Sequence, residues 1–203
     1  MNPMKLFFSP TSPYVRKVMI VAHELGLAGQ IEKVNAAAHP INRDRNIIAQ
    51  NPLGQVPTLI ADDGTMIADS RVICAYLDGL AGEELTPADA KAKLRAEIDQ
   101  SLADGILGAA LILRYEMAVR PEALRWPDWI SGQWDKIGTT LAHFEANPPG
   151  ARVDIGTISL AAALSYLDLR FPEYDWRSKQ PGLTIWYAAF AQRPAMVATE
   201  LKA

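Results

Sequence analysis

The chain has 203 residues, room for one domain or two small ones, and its 49% hydrophobic and 21% charged residues are those of an ordinary globular protein able to bury a core. A net charge of −3 gives no reason to expect nucleic acid or an anionic membrane surface as partner, and no run nears the roughly 18 consecutive apolar residues of a membrane span. The opening MNPMKLFFSPTSP lacks a signal-peptide layout, and a single cysteine excludes an internal disulfide and suits a reducing cytoplasm.

In chain order, Lys5-Leu6-Phe7-Phe8 reads as a short buried strand broken by Ser9-Pro10-Thr11-Ser12-Pro13. Ser12 followed by Pro13 is a strong helix start, with Ser as N-cap and Pro at the first helical position. Val15, Val18, Met19, Ala22 and Leu25 recur at helical spacing until Gly26 stops the run. A second strand is expected over 31–36, and 39–50 is polar and weakly helical.

The stretch Asn51–Ser70, NPLGQVPTLIADDGTMIADS, is denser in signals than any other. Asn51-Pro52-Leu53-Gly54 is a loop, and 58–61 is an apolar strand. Asp62-Asp63-Gly64 is a hairpin turn, and 65–68 the returning strand. Asp69-Ser70 stands where the N-cap of the next helix, 70–80, belongs. Pro57 donates no ladder hydrogen bond, so it sits at a strand's start or edge. As an ordinary trans proline it is part of a loop. In a cis bond it would turn the chain and leave the Val56 N–H and C=O free to pair with an extended peptide.

The order β-α-β-α-β-β-α implies a mixed four-stranded sheet, parallel across the first crossover and antiparallel in the hairpin. After the Gly-, Glu- and Pro-rich segment 79–87 no strand pattern appears. Helices are expected over 88–119, 126–146, 157–171, 183–192 and 194–201. Trp126, Trp129, Ile130, Trp134 and Ile137 give the second of these a heavy face, and the third is apolar all round. The fold class is therefore α/β plus all-α, an N-terminal domain over 1–80 with the mixed sheet and a helical bundle over 87–203.

SPTSPYVRKV at the first helix, NPLGQVPTL, and the ADDG turn with ADS after it make the chain resemble the cytosolic glutathione S-transferase superfamily, its bacterial members above all. The resemblance runs nearly the full length. It implies a thioredoxin-like N-terminal domain, glutathione as co-substrate, a small hydrophobic electrophile as second substrate, no metal, and a homodimer in the cytoplasm serving detoxification. The dimer interface would involve the third, fourth and fifth helices. A glutathione thiol titrates near about 8.5, and each unit of depression is worth about 1.36 kcal/mol of thiolate stabilisation. Ser12 suits that task. It heads a helix whose N–H groups and dipole favour an anion, and its hydroxyl can donate one charge-assisted hydrogen bond to sulfur. Read only as structure, it caps its helix. Ser9 and Tyr14 are the competing hydroxyls, and a Cys at position 12 would have implied a thiol-disulfide exchanger instead.

The resemblance further implies that Val56, before a cis Pro57, pairs its backbone with the cysteinyl part of glutathione. Ser70 takes the γ-glutamyl carboxylate at the helix N-terminus and Asp69 the ammonium, although both also read as a cap and its neighbour. Gln55 stands where many relatives carry Lys against the glycyl carboxylate, and it adds no charge. Arg16 and His39 read as a solvated Arg and a surface His. The electrophile pocket is expected near Tyr14, 102–116 with Tyr115, and the Trp126–Trp129 segment. Cys74, mid-helix, reads as a small core residue, and the three His show no metal-ligand spacing. One departure concerns the sixth helix. Relatives open it with Ser/Thr-x-x-Asp, whereas Thr157-Ile158-Ser159-Leu160 keeps a cap and loses the acid, with Asp154 upstream as the candidate replacement. Two other functions fit the fold: a non-catalytic glutathione-binding or scaffold protein, and a glutathione-dependent reductase or isomerase.

Overall fold

The computed structural model describes residues 3–201, which divide into two compact units: 3–87 with 194–201, and Ala88–Arg193. The first holds four strands, β1 (Met4–Phe8), β2 (Ile31–Asn35), β3 (Thr58–Ile60) and β4 (Met66–Ile67), in the order β2-β1-β3-β4. β2 runs parallel to β1, while β3 is antiparallel to both β1 and β4. This is the mixed sheet expected. Leu6 and Leu59, which face each other across the β1–β3 pair, are fully buried.

Helix α1 (Pro13–Glu24) starts where Ser12 and Pro13 placed it, because the Ser12 hydroxyl accepts the Val15 N–H at 3.3 Å. Val15, Val18, Met19 and Ala22 are all buried, and Gly26, at φ +69°, lets Leu27 N–H fold back to Ala22 O. Only Arg45–Ile48 of the weakly helical segment forms a helix, α2. Helix α3 (Ser70–Ala81) packs on α1 and is capped by Asp69. A further helix, α9 (Pro194–Ala198), also packs on α1 and is pinned there by the Arg16 guanidinium donating to Met196 O at 3.1 Å. The last helix thus clusters with the first unit, whereas its place in the chain put it in a helical domain over 87–203. Chain order cannot express that return.

The second unit is all-helical, with α4 (Ala90–Ala118), α5 (Pro127–Ala146), α6 (Ile155–Arg170), α7 (Trp176–Lys179) and α8 (Pro181–Phe190). A thioredoxin-like domain is followed by a helical one, the architecture expected. As its composition demanded, α6 is buried on nearly every side, from Gly156 through Leu167. It packs on α4 so closely that a Cβ at Gly156 would stand 2.6 Å from Ala96 O.

Two expectations need correction. Helix α6 begins at Ile155, two residues before Thr157, because its cap is Asp154. The Asp154 carboxylate accepts Thr157 N–H at 2.9 Å, and Thr157 Oγ1 accepts Asp154 N–H at 3.0 Å, so the capping box survives with acid and hydroxyl exchanged. The heavy face of α5 is only half inside: Ile137 is fully buried, but Trp126 and Trp129 stand 61% and 44% exposed, with rings stacked at 6.4 Å. The four-residue α7 was not anticipated, being too short to carry a period.

Candidate functional site

The sheet register decides which loops meet. β1 ends at Phe8, and Phe7 pairs with Thr58, the first residue of β3. The loop after β1, which holds Ser9 and Ser12, therefore lies beside the loop before β3, which holds Gln55, Val56 and Pro57. β4 is antiparallel to β3, with Ile67 opposite Leu59, so it too ends at this edge, and Asp69-Ser70 follows directly. Three segments from distant parts of the sequence converge at one end of one sheet. Two of them are helix N-termini.

On the first of these, Ser12 is half-buried at the head of α1. Its N–H donates to Ser9 O at 3.1 Å, and its hydroxyl oxygen accepts Val15 N–H, which leaves the hydroxyl proton as a donor. Ser9 is also half-buried, but it stands before the helix and heads none. Tyr14 lies inside α1, half-buried.

The second segment is built by a network that the sequence reading did not contain. Asn51, 2% exposed, donates from Nδ2 to Thr58 Oγ1 at 2.8 Å, and the Thr58 hydroxyl donates to Gln55 O at 2.7 Å. Asn51 Oδ1 also accepts Leu53 N–H. Gly54, at φ +62°, permits the turn, and a Cβ there would meet Ile48 Cγ1 at 2.9 Å. The Val56–Pro57 bond is cis, and so is Ala68–Asp69. Pro57 is buried, Gln55 is exposed, and among the described residues neither Val56 N–H nor Val56 C=O makes a hydrogen bond. A strand-like backbone edge stands open there.

On the third segment, Asp69 caps α3 by accepting Arg71 N–H at 2.9 Å, and Ser70, 3% exposed, opens the helix. Burial works to raise the Asp69 carboxyl, but the Arg71 N–H, the Arg71 guanidinium and the Lys17 ammonium hold it below the ordinary value. Asp69 is therefore an ionised acid beside a helix N-terminus, the one able to meet an ammonium and the other a carboxylate.

Arg16 is 7% exposed and turned to Met196 O, not solvated as expected. His39 Nδ1 accepts the N–H groups of Ile41 and Asn42, so it organises its own loop. Cys74 is buried in α3. Tyr115 is half-buried on α4 in the second unit, its phenol pushed up by burial. Near it on that unit, Glu116 accepts Arg120 Nε at 2.6 Å and Trp126 N–H at 3.2 Å, and Arg120 holds the carboxyl low. Among the described residues no group of His, Cys, Asp and Glu could hold a metal ion, and no helix is long and apolar enough to cross a membrane.

Residues 11–80 match the family model described as glutathione S-transferase, N-terminal domain. The Escherichia coli (strain K12) protein named uncharacterized GST-like protein YibF is 32% identical over 97% of this chain and 98% of its own length. A glutathione transferase family member from Pseudomonas fluorescens Pf-5, solved with bound glutathione, is 41% identical with a TM-score of 0.95, covering 98% of this chain and all of that one. The glutathione S-transferase of Methylobacillus flagellatus KT, solved with glutathione bound, is 33% identical with a TM-score of 0.89 over 98% of this chain and 100% of that one.

Proposed function

The chain belongs to the glutathione S-transferase superfamily, and from that premise we propose that it is a glutathione transferase delivering the glutathione thiolate to a small apolar electrophile. The observation that supports this reading most is the convergence at one sheet end of Ser12, the open Val56 backbone, and the Asp69-Ser70 helix head. Each answers one part of the tripeptide. Val56 pairs with the cysteinyl main chain, Ser70 and the α3 N-terminus take the γ-glutamyl carboxylate, and Asp69 takes the ammonium. Gln55 offers a neutral hydrogen bond to the glycyl end. Pro57 holds Val56 at the strand's start.

Ser12 then acts on sulfur. Its oxygen accepts Val15 N–H and keeps the hydroxyl proton available, so the hydroxyl donates toward the thiolate, and it is too weak a base to take a proton up. A donor aimed at charge that persists into the transition state, at a helix N-terminus, lowers the thiol pKa and so raises the reactive fraction. No metal enters the scheme. Homodimerisation, a cytoplasmic location and a role in detoxification belong to the same proposal.

The test is conjugation of glutathione to a generic halogenated nitroarene, with binding to immobilised glutathione read in parallel. Ser12→Ala is expected to lose at least about tenfold in kcat/KM, equal to about 1.4 kcal/mol of barrier, while still binding glutathione. Unchanged turnover in Ser12→Ala would move the role to Ser9 or another donor. Retention on glutathione without any turnover, in the unmutated protein, would make it a binding or scaffold protein.

A further inference from the structure

Arg16 carries a guanidinium that keeps its charge, yet the residue is 7% exposed, and burying such a group is costly unless it finds hydrogen-bond partners. One partner lies in α9, a helix of only five residues. So short a helix leaves its last carbonyls without donors of its own. The Thr199 hydroxyl stands 2.8 Å from Ala195 O and 3.4 Å from Met196 O, so it serves the first. Met196 O takes the Arg16 guanidinium at 3.1 Å in a buried bond, and Met196 is itself 1% exposed.

The main chain of the same residue holds Ser12. Arg16 N–H donates to Ser12 O at 3.0 Å, the bond that opens α1. The cap beside it is weaker: Val15 N–H reaches Ser12 Oγ at 3.3 Å, beyond the usual range for such a bond. Helix ends fray, and a long cap bond does little to stop it, so the aim of the Ser12 hydroxyl depends on how firmly this first turn is held. We propose that Arg16 is a positioning residue for Ser12: by tying the first turn of α1 to α9 it fixes the hydroxyl offered to the glutathione sulfur. The proposal rests on the glutathione reading above and adds a residue outside its contact set. The tie joins positions 180 apart in the sequence, so the last helix takes part in setting the thiolate donor.

Arg16→Met keeps the buried stem and removes the donor. It is compared with Ser12→Ala and with the double variant by glutathione calorimetry and by the pH midpoint at which bound glutathione gains its thiolate absorbance. Arg16→Met is expected to bind glutathione within about twofold of the unmutated protein. Its midpoint rises by about half a unit, an about threefold loss of thiolate at pH values below it. Turnover falls by the same factor at low pH and converges with the unmutated protein above both midpoints, whereas a merely structural loss is equal at every pH. In the Ser12→Ala background Arg16→Met adds nothing, because it acts through that hydroxyl. An unmoved midpoint in either single variant, or an equal rise with and without Ser12, overturns the proposal and leaves the transferase reading standing. Failure of the unmutated protein to bind glutathione overturns both. Should Arg16→Met fail to fold, Met196→Ala decides: it loosens the seat of α9 with Arg16 in place, and it is expected to raise the midpoint too. An unmoved midpoint there sinks the role of Arg16.

Discussion

Single residues at the proposed site can do two jobs, and the hydrogen-bond capacity of each side chain explains how. Ser12 accepts from Val15 N–H and keeps a proton to give, so cap and thiolate donor are compatible in one hydroxyl. Thr58 likewise accepts from Asn51 Nδ2 and donates to Gln55 O, which fixes the loop carrying Val56 and Pro57. Asn51→Ala would strip buried Thr58 of its donor and the part-buried Leu53 N–H of its acceptor. The expected cost is about 1–3 kcal/mol in urea unfolding, together with weaker glutathione binding. Thr58→Ser, which keeps the hydroxyl, is the control and should bind nearly as the unmutated protein does. Asn51 was visible in the sequence only as loop punctuation. Its amide looks the same in solvent or in a core, and nothing in its neighbours announces that it is 2% exposed.

At the level of elements, α6 shows how a motif can persist in altered form. The acid and the hydroxyl of its capping box have traded places, and Asp154 gains a further partner in Arg152 Nη1 at 2.9 Å. Arg152 in turn reaches Asp99 on α4, a residue only 2% exposed, so the cap is tied to the helix that α6 packs on. Asp154→Ala is expected to cost about 2 kcal/mol, the upper end for a lost cap, measured by chemical denaturation. A loss no larger than that of Thr139→Ala, an exposed site on α5, would mean that burial alone holds α6. The expectation that placed Thr157 at the cap was three residues late, because Asp154 is the N-cap. Apolar Ile155 follows Asp154 and apolar Ile158 follows Thr157, so composition alone does not say which of the two polar residues is the cap. Helix α5 failed differently: its tryptophans repeat at helical spacing, but periodicity locates a face without saying whether that face is covered.

For the molecule as a whole, the proposed site arises because strand directions return three separate loops to one sheet end. Apolar residues also remain uncovered on it, Val72 and Leu80 on α3 at 52% and 54% exposed and Leu94 on α4 at 57%. The homodimer belongs to the proposal, and under it equilibrium sedimentation is expected to give twice the 22.2 kDa of one chain. A stable single-chain mass at micromolar concentration would remove the dimer. The sequence by itself determined what local chemistry enforces: the strand and helix order, the caps at Ser12 and Asp69, the hairpin at 62–64, and a Pro57 held out of the ladder. Those depend on neighbours a few residues apart, whose preferences are written in the chain. Only the tertiary structure decided the buried Asn51–Thr58 network, the interior placement of Lys17 and Arg16, and the return of α9 to α1. Each of these is a contact between residues far apart in sequence, and a polar side chain carries no mark of its depth until packing closes around it.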